Sequence, residues 1–330
     1  MATVGLVVNP SAGRDIRRLT GGATVSDRYA KLQTARCVLA GMTTVPSTPD
    51  LLAMPDKANI GQEVVEEAED VDGELLDQPV TGSGEDTRTA AAAFAERADC
   101  VVVLGGDGTN RDVAAAVGDV PVASISTGTN NVVPTAIDGT PAGAAAALVA
   151  AGAVPSDAVT VRHRTVVASV DDNGGRREFV GLATLSVLDR PFVGTRAVLD
   201  PGDFVGGVVS RASPGDVGLS GIAGTLGAVA PDDPGGVGLR LGPAEDAPTV
   251  VRAMSTPGVV GRIGVTDHRR LDDGEAVVFD VPEGVLSADG ERELEVRDAR
   301  VEVRARAEGP RFVDFPSVFD RAAAEGLFVE

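Results

Sequence analysis

A short apolar run that leads into a glycine-rich turn limits what this chain can fold into. Cys100-Val101-Val102-Val103 is typical of a buried strand, and Leu104-Gly105-Gly106-Asp107-Gly108-Thr109-Asn110 follows it at once. The glycines let the backbone turn sharply and approach a ligand closely. The apolar residues 114–117 then indicate a short helix, whose free N–H groups favour an anion at the same turn. The pattern predicts a strand–turn–helix unit that holds a phosphate.

Asp107 lies at the mouth of that turn, where a carboxylate is an odd partner for a phosphate. It is well suited to orienting Mg²⁺ or a substrate hydroxyl, which favours phosphoryl transfer. The alternative is an ordinary strand-to-helix turn in which the glycines serve geometry and Asp107 caps the helix.

Further strand and helix patterns alternate along the first half of the chain. Strands are indicated at Val4–Val8, Leu51–Met54, Leu75-Leu76 and Val122–Ile125, and helices at Ser26–Met42, Ile60–Ala68 and Thr87–Ala98. Ser26 is the expected cap of the first of these helices. Alternation of this kind predicts an α/β fold, a Rossmann-like parallel sheet covered by helices.

Two more polar turns follow strands of this sheet: Asn9-Pro10-Ser11-Ala12-Gly13 and Ser126-Thr127-Gly128-Thr129-Asn130-Asn131. Because ligands gather at the carboxyl edge of parallel strands, both turns are expected beside the Asp107 turn. The second could instead be a capped helix start. Arg14, Arg17 and Arg18 fit either a clamp on nucleotide phosphates or a solvated helix face.

From about residue 162 the pattern changes to recurring β-type segments. These segments are Thr165–Val170, Phe179–Val187, Arg262–Val265, Ala276–Val281, Glu293–Val296 and Val301–Arg304. They predict a second, mainly antiparallel domain. The expected domains are residues 1–155 and 156–330. The sequence leaves open whether the C-terminal segment completes the first domain. The glycine-rich stretch Gly202–Gly242 either lines a pocket or serves as a connector.

Composition excludes several classes of function. The net charge of −20 repels nucleic acid and anionic membranes, and no apolar stretch is long enough to span a bilayer. No basic secretory region precedes the first strand, so a cytoplasmic protein is expected. Acidic excess with only two lysines, Lys31 and Lys57, suggests a salt-rich cytoplasm. Cys37 and Cys100 lack metal-binding spacing and are expected to be buried thiols.

Three motifs together resemble the superfamily of NAD kinases, diacylglycerol kinases and sphingosine kinases. They are Asn9-Pro10, Gly105-Gly106-Asp107-Gly108-Thr109 and Asp289-Gly290-Glu291. Residues 9–18, 125–132 and 192–197 are most similar to its ATP-NAD kinase-like, acetoin-catabolism-associated (AcoX-like) branch. The resemblance implies a Rossmann-like N-terminal domain, a β-sandwich-like C-terminal domain and an active site in the cleft between them.

The same resemblance implies roles for particular residues. Asp107 would be the catalytic carboxylate that helps to deprotonate the acceptor hydroxyl. Nucleotide contacts are assigned to the three turns, namely Asn9, Pro10, Ser11, Gly105, Gly106, Gly108, Thr109, Asn110, Thr127, Gly128, Thr129, Asn130 and Asn131. Asn131 stands where the lipid kinases have aspartate, and the Asn-Glu pair with which NAD kinases grip ribose hydroxyls is absent from the chain.

These observations predict a kinase that transfers a phosphoryl group from ATP, or from polyphosphate, to a hydroxyl. NAD is the favoured acceptor, and Mg²⁺ or another divalent cation, with ligands that the sequence does not specify, is the expected cofactor. A kinase for a lipid or small diol, or a non-catalytic nucleotide-binding regulator of a catabolic pathway, is the alternative. Neither a Walker A lysine nor a dehydrogenase Gly-x-Gly-x-x-Gly turn follows a predicted strand. A homo-oligomer is expected, since symmetric assemblies are common.

Overall fold

The computed structural model describes residues 1–14, 26–45, 47–128, 131–189 and 201–329. Its first sheet has seven strands in the order β3-β2-β1-β4-β5-β16-β6, and β6 alone runs antiparallel to its neighbour. The strands are β1 (Thr3–Val8), β2 (Asp50–Ala53), β3 (Gly73–Leu75), β4 (Cys100–Gly105), β5 (Val122–Ser126), β6 (Thr160–Arg162) and β16 (Arg311–Val313). Successive strands are added on one side of β1 up to β3 and on its other side from β4 onward. The turns after β1 and β4 therefore flank the crevice where ligands bind in such folds.

Helices cover both faces of this sheet. They are α1 (Arg28–Met42), α2 (Ile60–Glu66), α3 (Gly84–Arg97), α4 (Asp107–Ala114), α5 (Gly139–Ala150) and α7 (Phe315–Ala324). One apolar core lies under α1, α2, α5 and α7, and a second lies under α3 and α4. Helices α1 and α5 touch backbone to backbone, because a Cβ on Gly143 would lie 2.0 Å from the Val38 carbonyl oxygen.

The second sheet contains nine strands, all paired antiparallel, in the order β12-β13-β11-β10-β9-β14-β15-β7-β8. They are β7 (Thr165–Asp172), β8 (Gly175–Gly181), β9 (Thr184–Leu188), β10 (Phe204–Val209), β11 (Gly236–Gly242), β12 (Thr249–Thr256), β13 (Val259–Leu271), β14 (Ala276–Ala288) and β15 (Glu291–Arg306). The short helix α6 (Leu219–Leu226) packs on β12 and β10. A parallel α/β half followed by an antiparallel β half confirms the predicted fold class.

The chain returns to the first sheet near its end. Phe312 in β16 pairs in parallel with Val122 of β5, and helix α7 packs against α5. Residues 311–324 therefore belong structurally with the first sheet. The division at residue 155 stays a prediction.

Several local predictions were wrong. Asp27 caps α1 in place of Ser26, because its carboxylate accepts the Ala30 N–H at 2.8 Å. Helix α4 begins at Asp107, directly after the glycines, and ends where a helix was predicted to start. Cys37 is exposed, since it lies off the face of α1 that packs on the sheet, whereas Cys100 is buried as predicted.

The stretch Gly202–Gly242 is neither a plain connector nor mere pocket lining. It carries β10, α6 and β11, which are integral to the second sheet. Within the described ranges, no helix is both long and apolar enough to cross a membrane.

Candidate functional site

A cleft of about 560 Å³ opens at the carboxyl ends of β1, β2 and β4. This volume is within the usual range of ligand pockets. The predicted site residues that line it are Asn9, Pro10, Ser11, Gly106, Asp107, Gly108, Thr109 and Gly128. The hairpin between β14 and β15 reaches the same cleft and adds Asp289, Glu291 and Glu293. The cleft is therefore built from both sheets.

Asp107 lies at the centre of this arrangement with 1% of its surface exposed. Its carboxylate accepts the backbone N–H of Val132 at 3.0 Å and that of Val133 at 2.9 Å. Burial, reinforced by the nearby carboxylate of Asp289, raises the pKa of Asp107 to about 7. The capping alternative is wrong, because Gly106 is the N-cap and the Asp107 carboxylate bonds to a different segment. A carboxyl group that titrates near neutrality is well matched to proton transfer.

Asp289 occupies the tip of the β14–β15 hairpin. Asp289 and Gly290 both adopt positive φ values, 52° and 81°, which suits a two-residue hairpin turn with an Asp-Gly sequence. The Asp289 carboxylate accepts N–H bonds of 2.8–3.0 Å from Leu182, Ala183 and Thr184. Burial nevertheless raises its pKa. The hairpin tip thus brings a second buried carboxylate to the Asp107 site.

Arg111 joins the two halves of the site. It lies one turn after Asp107 on α4, donates to the Ala288 carbonyl at 3.1 Å and pairs with Glu293 at 2.7 Å. Its guanidinium is also 3.6 Å from Asp289. No local sequence signal marks Arg111, because its partners are almost 180 residues away along the chain.

The turn after β1 is tied to the turn after β4. The Asn9 side-chain amide donates to the Thr109 hydroxyl at 2.8 Å, and its carbonyl oxygen accepts the Ser11 N–H at 2.9 Å. Gly105 is required beneath this contact, since a Cβ there would lie 2.5 Å from the Thr109 Cβ. The predicted meeting of these two turns at one sheet edge is what the structure shows.

The turn after β5 packs equally closely on the glycines of the Asp107 turn. A Cβ on Gly128 would lie 2.2 Å from the Gly106 Cα, and the Thr127 N–H donates to the Gly105 carbonyl at 3.1 Å. No helix start follows this turn closely, because the next described helix begins at Gly139. Thr129 and Asn130 lie outside the described residues, as do Arg17, Arg18 and residues 192–197.

Three predicted residues near the cleft carry buried polar atoms that have no hydrogen-bond partner among the described residues. They are the side-chain oxygens of Asn110, Thr127 and Asn131. The amides of Asn110 and Asn131 donate to the carbonyls of Gly106 and Gly128, each at 2.9 Å, and so hold the glycine turns. Buried acceptors without partners are rare in native structures, and a bound ligand is one explanation for them.

Lys31 does not line the cleft but lies beneath a turn that does, and the sequence gave no signal for it beyond the scarcity of lysine. It projects from the first turn of α1, is fully buried, and donates to the Pro10 carbonyl at 2.7 Å. Burial, together with the neighbouring Arg14, lowers its pKa to about 8. Arg14 itself is exposed.

The cleft contains hard oxygen ligands, but they are not gathered into a metal cage. In the described part of the chain, no group of three or more His, Cys, Asp or Glu side chains is placed to hold an ion. Glu291 is one of the carboxylates that line the cleft, and it lies about 3.6 Å from where a Cβ of Gly108 would be. One carboxylate fits Mg²⁺ that is held mainly by waters and substrate phosphates.

A second, smaller pocket of about 30 Å³ lies on the far side of Asp107 and Asp289. Thr184, Ser186 and Ser255 contribute hydroxyls to its lining, and the start of α6 contributes Gly218. At roughly 10–15 Å³ per water-sized probe, this pocket holds only a few atoms. Val132, Phe204, Val217 and Leu219 line the same pocket, so the two carboxylates separate a large cleft from a small pocket of mixed polar and apolar lining.

Two family models cover most of the chain. The ATP-NAD kinase N-terminal domain matches residues 4–152, and the acetoin catabolism protein X C-terminal domain matches residues 165–308. The acetoin catabolism protein X of Cupriavidus necator is 32% identical over 301 residues, which cover 88% of this chain and 84% of that protein. The structure of yeast NADH kinase complexed with NADH superposes with a TM-score of 0.53 at 12% identity, covering 98% of this chain and 86% of that one.

Proposed function

We propose that this chain, which belongs to the acetoin catabolism protein X family, is a kinase that transfers a phosphoryl group from ATP to a hydroxyl, with NAD as the favoured acceptor. A kinase-like function is supported by the ATP-NAD kinase model over the first half of the chain. The observation that carries the proposal is the buried Asp107 carboxylate, with a pKa of about 7, between a cleft of about 560 Å³ and a much smaller pocket.

In the proposed reaction, the acceptor hydroxyl gives its proton to the Asp107 carboxylate. The acceptor oxygen then forms a bond to the γ-phosphorus, the bond from that phosphorus to the β–γ bridging oxygen breaks, and ADP leaves with the electron pair. The N–H groups of Val132 and Val133 hold the carboxylate in a fixed orientation for this transfer. Positioning and charge neutralisation supply most of the catalysis in such reactions.

The glycine turns are the proposed site of the donor phosphates. Gly106 and Gly108 line the cleft without side chains, so a phosphate can approach the backbone at the start of α4. Mg²⁺ bound at Glu291 would neutralise charge on the donor phosphates. Polyphosphate is the alternative donor, because it offers the same phosphate groups without a base.

NAD is favoured as acceptor because the first half of the chain matches an ATP-NAD kinase model. The chain lacks the Asn-Glu pair of NAD kinases, so another group must hold the ribose hydroxyls. Asn131 is proposed for this role, since its buried side-chain oxygen has no partner in the described structure and lies beside Gly128 in the cleft wall.

A small diol is the second candidate acceptor. The pocket beyond Asp107 is lined by both hydroxyl-bearing and apolar residues and has room for only a few atoms, so a small diol fits it better than an acyl chain does. The relative from Cupriavidus necator is named for acetoin catabolism, and acetoin is a small hydroxyketone. Binding of nucleotide without turnover would instead indicate a non-catalytic nucleotide-binding regulator of a catabolic pathway.

The deciding experiment is a kinase assay with ATP and with polyphosphate across NAD, NADH, diacylglycerol and small diols, at several KCl concentrations. Formation of NADP from NAD supports the proposal. Turnover of a diol alone moves the assignment to the second candidate, and clear ATP binding without any phosphorylated product contradicts an enzymatic function.

Asn131→Ala tests the choice of acceptor. Loss of one buried hydrogen bond costs about 1 to 3 kcal/mol, so the KM for NAD should rise roughly 5- to 150-fold while the KM for ATP changes little. Steady-state kinetics with each substrate varied in turn measures both. A change confined to ATP would assign this turn to the donor and remove the main argument for NAD.

A further inference from the structure

Lys31 is a fully buried cation under the Asn9–Gly13 turn, and the proposed mechanism does not use it. The chain has 29 basic residues but only two lysines, so an ammonium in the interior is unusual in this composition. Lysine is almost never fully buried unless it is paired. The position of Lys31 therefore requires an explanation.

The surroundings of Lys31 disfavour a positive charge. Arg14 faces it from the β1 turn, and the N-terminal end of α1 carries a partial positive charge of its own. Asp27 from the helix cap and Asp56 from the β2 turn attract it, but neither forms an ion pair with it. Within the described residues, the Pro10 carbonyl is the only hydrogen-bond acceptor that Lys31 contacts.

The contacts of Lys31 lead directly to the proposed phosphate site. Its ammonium holds the Pro10 carbonyl, the adjoining Asn9 amide holds the Thr109 hydroxyl, and Thr109 belongs to the glycine turn at the start of α4. Pro10, Asn9 and Thr109 all line the cleft. The ammonium of Lys31 thus holds the turn after β1, and its positive charge acts on a ligand bound in the cleft above that turn.

The described residues of the cleft supply little positive charge for a polyphosphate. Among the residues that the structure describes, the lining contains seven carboxylates, and its two arginines, Arg88 and Arg111, are each paired with carboxylates. Lys57 lines the cleft as well, at the end of β2. A buried cation below the turn offsets part of this negative charge without occupying space in the cleft.

We infer that Lys31 is a positioning residue for the phosphates of the donor: its buried ammonium holds the Asn9–Gly13 turn in place and supplies the positive charge that attracts a polyphosphate to that end of the cleft. This inference rests on the proposed function for the identity of the donor. The penalty of the buried charge is offset when the phosphates bind.

Calorimetric titration of the whole chain with ATP, tripolyphosphate and adenosine tests the inference. Lys31→Met should weaken the binding of ATP and of tripolyphosphate about tenfold at pH 7, which corresponds to about 1.4 kcal/mol, and leave adenosine unchanged. Lys31→Arg keeps the charge and should restore most of the affinity. Arg36→Met is the matched control, because it removes a cation from the exposed side of the same helix.

The pH dependence separates a charge effect from a packing effect. Because the pKa of Lys31 is about 8, the wild-type protein should bind ATP tightly below pH 8 and lose affinity as the pH rises towards 9.5. Binding at pH 8.5 should then take up a proton, measurable in buffers of different ionisation enthalpy. Lys31→Arg should show neither effect, whereas Asp107 and the other titrating groups are the same in both proteins.

Three outcomes are distinguishable. Weak polyphosphate binding by Lys31→Met, restored by Lys31→Arg with loss of the proton uptake, supports the inference. Equal affinity and equal proton uptake in wild type and both variants overturn the inference and leave the kinase proposal intact. A wild-type protein that binds neither ATP nor tripolyphosphate overturns the proposed function and the inference together.

Discussion

At the scale of single residues, the Asp107 carboxylate combines a fixed orientation with a raised pKa. Two backbone N–H bonds hold it, yet burial raises its pKa by disfavouring the charge. Asp107→Asn preserves the volume and removes both the charge and the proton acceptor. We expect the rate to fall by about 10²- to 10⁴-fold, the usual contribution of a general base.

Melting temperature is the control for that variant. The amide offers one acceptor where the carboxylate offers two, so the N–H of Val132 or Val133 loses its partner while a buried charge is removed. Because these effects oppose each other, the folded state should persist. Turnover within about threefold of the wild-type rate would exclude Asp107 as the base.

The pH dependence of the reaction follows from the same group. A base must be deprotonated, so kcat/KM should rise with pH and level off above about 7, where the Asp107 pKa lies. A flat profile between pH 5.5 and 8 would contradict this role.

Stability should change in the opposite direction over the same pH range. The folded-state pKa of Asp107 is raised, so the folded protein binds the proton more tightly than the unfolded chain does. This contribution to the free energy of unfolding is fully present below about pH 4 and is lost as the pH rises through 7. Asp107→Asn should remove it, which urea denaturation at several pH values can measure.

At the scale of elements, the site depends on two glycine turns in backbone contact. Gly128→Ala places a Cβ 2.2 Å from the Gly106 Cα, so the turns after β4 and β5 must separate. We expect a loss of about 1–3 kcal/mol of stability and of most nucleotide affinity. Chemical denaturation and ATP titration measure the two effects.

Gly227→Ala is the matched control for that change. Gly227 ends α6 in an extended conformation, and nothing lies within 4 Å of where its Cβ would be. Its stability and affinity should be unchanged. Equal behaviour of the two variants would show that the close approach of the turns is unimportant.

The elements show which parts of the molecule the sequence could predict. The apolar runs in the sequence predict strands β1, β4 and β5, because strands that are buried on both faces are continuously apolar. The turns are predictable as well, because they follow these strands directly and carry glycine and polar residues. The family identified from the motifs in these turns is confirmed by the relative from Cupriavidus necator. The sequence predicts this helix too far along the chain, because the glycine pair Gly105-Gly106 does not indicate that helix α4 begins at the next residue.

Other features of the site have no local signal. Arg111 is one of many arginines until the hairpin tip folds onto it. Lys31 looks like a surface residue of an amphipathic helix, and only the packing of the β1 turn over it makes it buried. Strands β13, β14 and β15 are long, but their exposed faces interrupt the apolar pattern, so the sequence predicted only pieces of them.

At the scale of the whole molecule, the net charge of −20 is the dominant electrostatic feature. Repulsion among carboxylates opposes the compact state at low ionic strength, and at 1 M salt the Debye length is only about 3 Å. The surface Arg–carboxylate pairs are also screened, but each is worth little. The melting temperature should therefore rise from low to molar KCl, and a flat or falling midpoint would count against a salt-rich origin.

The return of β16 to the first sheet has a consequence for how the protein is made. Residues emerge from the ribosome in order, and domains generally fold as they appear. Thr135 already bridges the C-terminal part of β5 at Ile125, but the part at Val122 must wait for Phe312, so it stays open while all nine strands of the second sheet are synthesised. Open strand edges invite mispairing with other chains. Closure of the sheet that is made first thus follows the synthesis of the whole second sheet, and until then the nascent chain needs protection at this edge.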